Sequence, residues 1–275
     1  MNLSKLEIYG PHVGLYVGLQ GSGKSSAIAS WAKKGKMKIF DIDKRARGIL
    51  GSASFLGQEV INNIEIVQYD YSSLNDVWKA VAEDIEMDLV KAKSNRLEYK
   101  TGVLESATTL ADIMTINSQR LRGLKSESVP GGSKIRGKHI FCSPDDYNYT
   151  SSVFRTLFYE YLLAMKCNFI VSGWIVEEYG PNPEGPYLPD IKIGESLNTT
   201  RKLSQRIPGF FDEIYLFKKE ETPVSGKIRY FVQFESQMAK TATPALKGRG
   251  KTEITNRCFV DVMESYLTKE KKDAN

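Results

Sequence analysis

The sequence predicts an α/β protein with a mostly parallel central sheet, helices on both of its faces and an antiparallel extension near the carboxyl terminus. Three observations support this fold class. Near the amino terminus, a buried strand leads through a glycine-rich loop directly into a helix. Short apolar runs then alternate with stretches of helical periodicity, which is typical of βαβ units. Finally, two late apolar runs flank a turn that contains Pro and Gly, and this pattern indicates a hairpin.

The glycine-rich loop, residues 18–25, reads GLQGSGKS and fits the pattern G-x-x-x-x-G-K-[ST]. Its glycines permit backbone conformations that turn successive N–H groups toward phosphate oxygens. Lys24 supplies a cation, Ser25 supplies a hydroxyl suited to Mg²⁺, and the following helix adds a favourable field. The alternative is a glycine turn with a surface lysine. We predict a nucleoside triphosphate site formed by Gly18, Gln20, Gly21, Ser22, Gly23, Lys24, Ser25 and Ser26.

The composition is that of a globular chain with a sizeable core, since 41% of its 275 residues are hydrophobic and 26% are charged. One domain over residues 1–275 is expected. No apolar run is long enough to span a bilayer and no signal-peptide core is visible, so we expect a cytoplasmic protein without membrane contact. Three dispersed cysteines and two isolated histidines argue against a zinc site or a Ser-His-Asp triad. A net charge of +5 permits nucleic-acid binding.

Periodicity and turn residues predict the remaining elements. Strands are expected over 6–11, 13–17, 37–43, 64–69, 97–106, 168–174, 210–217 and 228–234. Helices are expected over 24–34, 74–91, 108–124, 150–166 and 256–267. The segments 125–138 and 179–200 are predicted to be flexible loops, and residues 269–275 a frayed tail.

Acidic residues close two of the expected strands. Asp41 and Asp43 end the strand 37–43, which we place next to the strand of the glycine loop, and Asp43 is the favoured group for polarising an attacking water. Alternatively, Asp43 pairs with Lys44, Arg45 or Arg47. Glu105 ends the strand 97–106 and is the candidate acid for Mg²⁺, unless it simply faces solvent.

The strand 168–174 contributes two further candidates. Ser172 is placed to hydrogen-bond the terminal phosphate or the attacking water, and Trp174 to stack on a base or to pack under a loop. Two basic segments, 125–138 and 240–251, are candidates for contact with DNA, and the second also for contact with the phosphates of a neighbouring subunit. Solvated basic loops are the alternative.

The segments VGLQGSGKSS, KIFDID, YKTGVLESATTL, CNFIVSGW, PGFFDEIYLF and QMAKT resemble, in order and spacing, the RecA-like phage ATPases of the Sak type. The resemblance implies a Mg²⁺-dependent ATPase that acts in annealing or recombination of single-stranded DNA and assembles as a homo-oligomeric ring or filament. It further implies that Asp43 activates water, Glu105 is the second acidic motif, Ser172 is a sensor, and Lys240 acts across a subunit interface.

The chain departs from this family at three positions. Glu105 stands where an aspartate is usual, Asp43 where a glutamate is expected, and Trp174 where histidine is frequent. Two other classes of function therefore stay open. One is a different P-loop machine, such as a DNA-packaging ATPase or a small-molecule kinase. The other is a nucleotide-gated binding protein with little hydrolysis.

Overall fold

Nine strands in the described part of the chain form one sheet, shown here in a computed structural model that describes residues 11–69, 74–122, 143–185, 188–199, 201–222, 226–243 and 246–273. The strands are β1 (Val13–Gly18), β2 (Met37–Asp41), β3 (Ile64–Gln68), β4 (Thr101–Glu105), β5 (Asn168–Gly180), β6 (Ile191–Leu197), β7 (Glu213–Glu221), β8 (Ile228–Gln233) and β9 (Lys251–Glu253). The helices are α1 (Lys24–Ser30), α2 (Arg47–Ser54), α3 (Gln58–Asn62), α4 (Leu74–Lys93), α5 (Ala107–Arg122), α6 (Pro144–Thr156), α7 (Arg201–Gly209) and α8 (Phe259–Asp273).

The strand order is β3-β2-β4-β5-β1-β7-β8-β9, with β6 paired to the outer part of β5. The first six strands of this order run parallel. The remaining pairs, β7–β8, β8–β9 and β5–β6, are antiparallel. The expected fold class, a mostly parallel sheet with antiparallel strands toward the carboxyl terminus, is therefore confirmed.

Helices cover both faces of the sheet, which explains why its central strands are apolar along their whole length. In β1, Leu15 and Val17 point into a core shared with α4, α5, α6 and α7. Tyr16, between them, points into the opposite core, which is shared with α1, α2, α3 and α8. No helix in the described ranges is both long enough and apolar enough to cross a bilayer.

Several predicted boundaries are wrong, mostly where helices begin or end. The helix expected over 24–34 is α-helical only to Ser30 and continues as a 3₁₀ turn, Trp31–Lys34, before Gly35 ends it. The helix expected over 150–166 begins earlier, at Pro144, because Ser143 and Asp146 form a capping box. The last helix runs from Phe259 to Asp273, so most of the tail expected to fray is helical.

Other corrections concern strands. The strand expected over 97–106 occupies only Thr101–Glu105, and the one expected over 210–217 begins at Glu213. The segment 179–200, predicted as an irregular loop, contains β6, which pairs with β5. The strand predicted over 6–11 and the loop predicted over 125–138 lie outside the described residues, except for position 11.

Candidate functional site

The glycine-rich loop connects β1 to α1 and lies at the carboxyl edge of the parallel sheet. Three of its glycines have positive φ angles: 158° at Gly18, 72° at Gly21 and 96° at Gly23. At Gly18 a side chain is also excluded by space, since an ideal Cβ would lie 2.4 Å from the carbonyl oxygen of Phe217. The loop therefore requires glycine for conformation and for close approach to β7.

Lys24 is held against this loop by its own ammonium group. Its Nζ donates to the carbonyl oxygens of Gly18, at 2.7 Å, and Leu19, at 3.0 Å. Burial lowers the pKa of Lys24 to about 8, against an opposing effect of the Glu105 carboxyl. Lys24 is thus a buried cation that interacts electrostatically with Glu105, the acid predicted to complete the site.

Glu105 ends β4 and is only 7% exposed. The pKa of Glu105 is raised to about 7, chiefly by burial and also by nearby Asp43 and Asp41, while Ser172 and Lys24 lower it. Its Oε2 has no hydrogen-bond partner among the described residues, and neither has the Ser172 hydroxyl. Ser172 therefore lies close enough to affect the pKa of Glu105, but the two groups do not form a hydrogen bond. The expected solvent-facing alternative for Glu105 is wrong.

Asp43 lies near Glu105, but it does not belong to a strand adjoining β1. The strand β2 ends at Asp41, and β4 and β5 separate β2 from β1. The prediction of a neighbouring strand was wrong because buried parallel strands look alike in sequence and do not reveal their order. Even so, β2 adjoins β4, and Asp41 is aligned with Glu105, so the acids still converge.

The Asp43 carboxyl is largely enclosed, with 6% of its side chain exposed. Its Oδ1 accepts from the Arg45 N–H at 3.2 Å, whereas Oδ2 has no hydrogen-bond partner in the described chain and lies 4.0 Å from Arg45 Nε. Burial and neighbouring Asp41 raise the pKa of Asp43. Asp41 itself accepts from the N–H groups of Arg45 and Ala46, which makes it a structural acid.

These oxygens fit a bound cation. The buried, unpartnered Oε2 of Glu105 and the hydroxyl of Ser25 are the hard donors that Mg²⁺ prefers. Within the described ranges, no group of three or more His, Cys, Asp or Glu side chains could hold a metal on its own. Such a site suits Mg²⁺, because this ion keeps few protein ligands and takes the rest from phosphates and water.

A cavity of about 760 Å³ opens beside the loop, between α1, α2, β8 and the segment before α8. Its walls include Phe55, Tyr230 and Asn256 together with residues 21–27 of the loop and α1. Tyr230 packs on the loop itself, since an ideal Cβ on Gly23 would lie 3.3 Å from the Tyr230 ring. Phe55, at the mouth, is 91% exposed. The volume suits a nucleoside.

The structure brings together only some of the predicted site residues. Ser26 is at the start of α1 and donates to the Ser52 hydroxyl of α2, and the exposed Gln20 is at the loop apex. Lys240 is elsewhere: its backbone pairs with Ile214, which is aligned with Leu15 near the start of β1. Trp174 packs under a loop, one of its two expected environments, because the guanidinium of Arg45 in the turn between β2 and α2 stacks on its ring at 4.1 Å.

The chain is similar in structure to known proteins, although its sequence matches no described family. No protein-family model matches the sequence, and no curated protein matches it. A solved structure, that of the KaiC-like protein PH0186 from the hyperthermophilic archaeon Pyrococcus horikoshii OT3, aligns over 82% of this chain and 78% of its own. The sequence identity is 13% and the TM-score is 0.42. A match at this level says nothing about activity, so the site must be interpreted from its own residues.

Proposed function

We propose that this protein is a RecA-like P-loop ATPase that binds ATP with Mg²⁺, hydrolyses it, and acts on single-stranded DNA in annealing or recombination. The observation that carries the nucleotide part is the convergence of a glycine loop, a buried lysine and a buried, unpartnered carboxylate oxygen on one edge of the sheet. Buried polar atoms without partners are rare in folded proteins, and a bound ligand supplies the missing partners.

Each residue has a defined task in this proposal. Lys24 leaves the loop carbonyls and binds the outer phosphates, and the loop N–H groups cradle them. Ser25 and Glu105 would hold Mg²⁺, and the ion would offset the charge that develops on the transferred phosphoryl group. Asp43 orients the attacking water and takes up its proton, because its raised pKa makes it a better base than an exposed aspartate. Ser172 donates to the terminal phosphate.

The nucleoside half of the ligand occupies the 760 Å³ cavity. Tyr230 borders both the cavity and Gly23, so a base that leaves the phosphate loop meets an aromatic ring at once. Phe55, directly after α2, also lines the cavity. Stacking on these rings would hold a purine without requiring base-specific hydrogen bonds.

A second cavity supports the DNA part of the proposal. It is a groove of about 440 Å³ between α6 and α7, lined by Ser151, Ser152, Arg155, Tyr159, Gln205, Arg206, Gly209 and Phe210. None of these eight residues is acidic, and both arginines are exposed. Tyr159 is 52% exposed and meets Phe210 edge to face. Exposed cations beside an exposed aromatic ring are what a single strand requires for its phosphates and bases.

A short physical connection links the groove to the nucleotide site. Helix α5 begins two residues after Glu105, and side-chain hydrogen bonds join it to α6, two of them between buried groups. Thr115 and Thr150 share a hydroxyl contact of 3.1 Å, and the Ser118 hydroxyl donates to Asp146 at 2.8 Å. A shift at Glu105 on loss of the terminal phosphate would therefore move α5 and reach the groove through α6.

The test is a phosphate-release assay with ATP and Mg²⁺, titrated with single-stranded DNA. We expect wild type to be stimulated by DNA and Lys24→Ala to be inactive. The double variant Arg155→Gln/Arg206→Gln should keep the DNA-free rate and lose about tenfold or more in DNA affinity, since two phosphate contacts are removed. The matched control, Lys79→Gln/Lys93→Gln on exposed positions of α4, removes the same charge and should behave as wild type.

Other results would overturn the proposal in distinguishable ways. A wild-type protein that ignores ATP excludes the nucleotide site. Tight ATP binding without phosphate release, unaltered by Asp43→Asn, indicates a nucleotide-gated binding protein. Phosphate transfer to a small acceptor, without any effect of DNA, indicates a kinase.

A further inference from the structure

The hairpin formed by β7 and β8 packs on the phosphate loop at three successive glycines. Ideal Cβ atoms on Gly18, Gly21 and Gly23 would lie 2.4 Å from the carbonyl oxygen of Phe217, 3.6 Å from Lys219 Nζ and 3.3 Å from the ring of Tyr230. Lys219 and Tyr230 are directly paired across the two strands. The hairpin therefore delivers a cation and an aromatic ring to the same loop, from the opposite end of the sequence.

Three other basic side chains around this hairpin have acidic partners. Lys218 lies 3.0 Å from Glu195, Lys251 pairs with Glu220, and Arg229 lies 3.8 Å from Glu253. Lys219, which is exposed, forms no ion pair within 4.0 Å with any residue of the described chain. Its charge is therefore uncompensated at the point where it meets the loop.

Lys219 and Lys24 approach the loop under different conditions. Lys24 is buried and already bonded to two loop carbonyls, whereas Lys219 is exposed and lies over the apex at Gly21. An exposed lysine on a flexible four-carbon stem can follow an anion without losing an existing bond. Exposed lysines are common on protein surfaces, but Lys219 borders a loop whose N–H groups also favour anions.

We propose that Lys219 is a second phosphate-binding cation, supplied by the same chain, that contacts the polyphosphate of the nucleotide from the β7–β8 side of the loop. This inference rests on the proposed nucleotide site. It assigns to the hairpin a part in binding that does not depend on hydrolysis, on DNA or on a neighbouring subunit.

The experiment measures equilibrium binding of ATP, ADP and AMP to the full chain at two salt concentrations. Lys219→Gln should weaken ATP binding about tenfold and ADP binding somewhat less, leave AMP unchanged, and reduce the salt dependence of ATP binding. Lys219→Arg should stay within about threefold of wild type, because it keeps the charge. The control is Lys218→Gln, the adjacent lysine that faces Glu195, and it should bind all three nucleotides as wild type does.

The outcomes separate this inference from the proposed function. If wild type binds ATP and Lys219→Gln binds it equally well, with the same salt dependence, the role of Lys219 is excluded while the nucleotide site stands. If Lys219→Gln loses AMP as strongly as ATP, the residue acts through Tyr230 or the fold, and the inference is also wrong. If wild type binds no nucleotide, both proposals fail.

Discussion

Glu105 illustrates how burial prepares a single residue for chemistry at some expense to folding. Its pKa is raised from 4.5 to about 7, chiefly by burial. A group with a raised pKa binds its proton more tightly in the folded state, so its favourable contribution is complete below pH 4.5 and is lost as pH rises through 7. The unpartnered carboxylate at pH 8 is therefore a local source of instability.

This leads to a prediction for Glu105→Gln, which cannot ionise. The variant should match wild type in unfolding free energy at pH 4.5 and exceed it by up to about 3 kcal/mol at pH 8, the equivalent of the shift in pKa. Urea denaturation at the two pH values checks this. Glu83→Gln, at an exposed position of α4, should show no such pH-dependent gain. An equal response of both variants would mean that Glu105 is not effectively buried.

At the scale of single residues, the sequence predicts a candidate site when its residues are neighbours along the chain. The grouping of the loop, Lys24 and Ser25 can be predicted because the chain itself places them side by side. Tyr230 and Lys219 could not be predicted, because their place at the loop depends on β7 lying beside β1 and on the β7–β8 register. No local pattern distinguishes them from ordinary strand residues.

At the scale of elements, a buried ion pair fixes β2 to α4. Lys38 Nζ lies 2.6 Å from Asp88, which also accepts from the Tyr99 hydroxyl at 3.1 Å. The Asp88 side chain is 3% exposed and that of Lys38 is 11% exposed. Such a pair adds little net stability, but removing one partner leaves the other charge buried and unpaired.

Asp88→Ala should accordingly destabilise the protein by about 3–5 kcal/mol. The double variant Lys38→Met/Asp88→Leu should regain most of this loss, since it removes both charges and keeps apolar volume. Denaturant melts of the two variants and wild type provide the measurement. If the double variant is as unstable as the single one, the loss comes from packing and not from a stranded charge.

Helices and strands could be predicted where hydrophobic periodicity is strong. Prediction failed where tertiary contacts determine the structure. The helix α2 was not predicted because its sequence, RGILGSAS, contains two glycines and has low helix propensity. It forms because Ile49 and Ala53 are buried in the same core as α1. Likewise, the sequence predicts a loop in place of β6. The strand forms because it pairs with the outer part of β5, and the sequence does not show that β5 extends that far.

At the scale of the whole molecule, Lys240 lies away from the proposed phosphate site of its own chain. Its backbone pairs with Ile214, which is aligned with Leu15, three residues before Gly18. At about 3.3 Å per residue, this is about 10 Å along the strand from the loop. Glu213 fixes the segment that follows by accepting from Thr241 and from the backbone N–H of Thr243. This rigid, exposed position suits contact with a second subunit.

If Lys240 acts on a neighbouring protomer, two inactive variants should complement each other. Lys240→Ala keeps an intact loop, and Lys24→Ala keeps an intact Lys240. Mixed in equal amounts, they should recover about one quarter of wild-type phosphate release, the fraction of interfaces that join both intact groups in a cyclic oligomer. Each variant alone is the control. Full absence of recovery, with mixed oligomers demonstrated, would exclude action across the interface.

The stack of Arg45 on Trp174 joins the turn after β2, which contains Asp43, to the middle of β5, two residues after Ser172. The sequence has three tryptophans. Trp31 is buried in the core beside α1, and Trp78 of α4 packs against the core on the opposite face of the sheet. If Arg45 moves away from Trp174, the fluorescence of this tryptophan should change, because the stacked guanidinium is lost. Trp174 fluorescence would therefore report movement of the Asp43 turn, and nucleotide binding and release could be followed in time without an added dye.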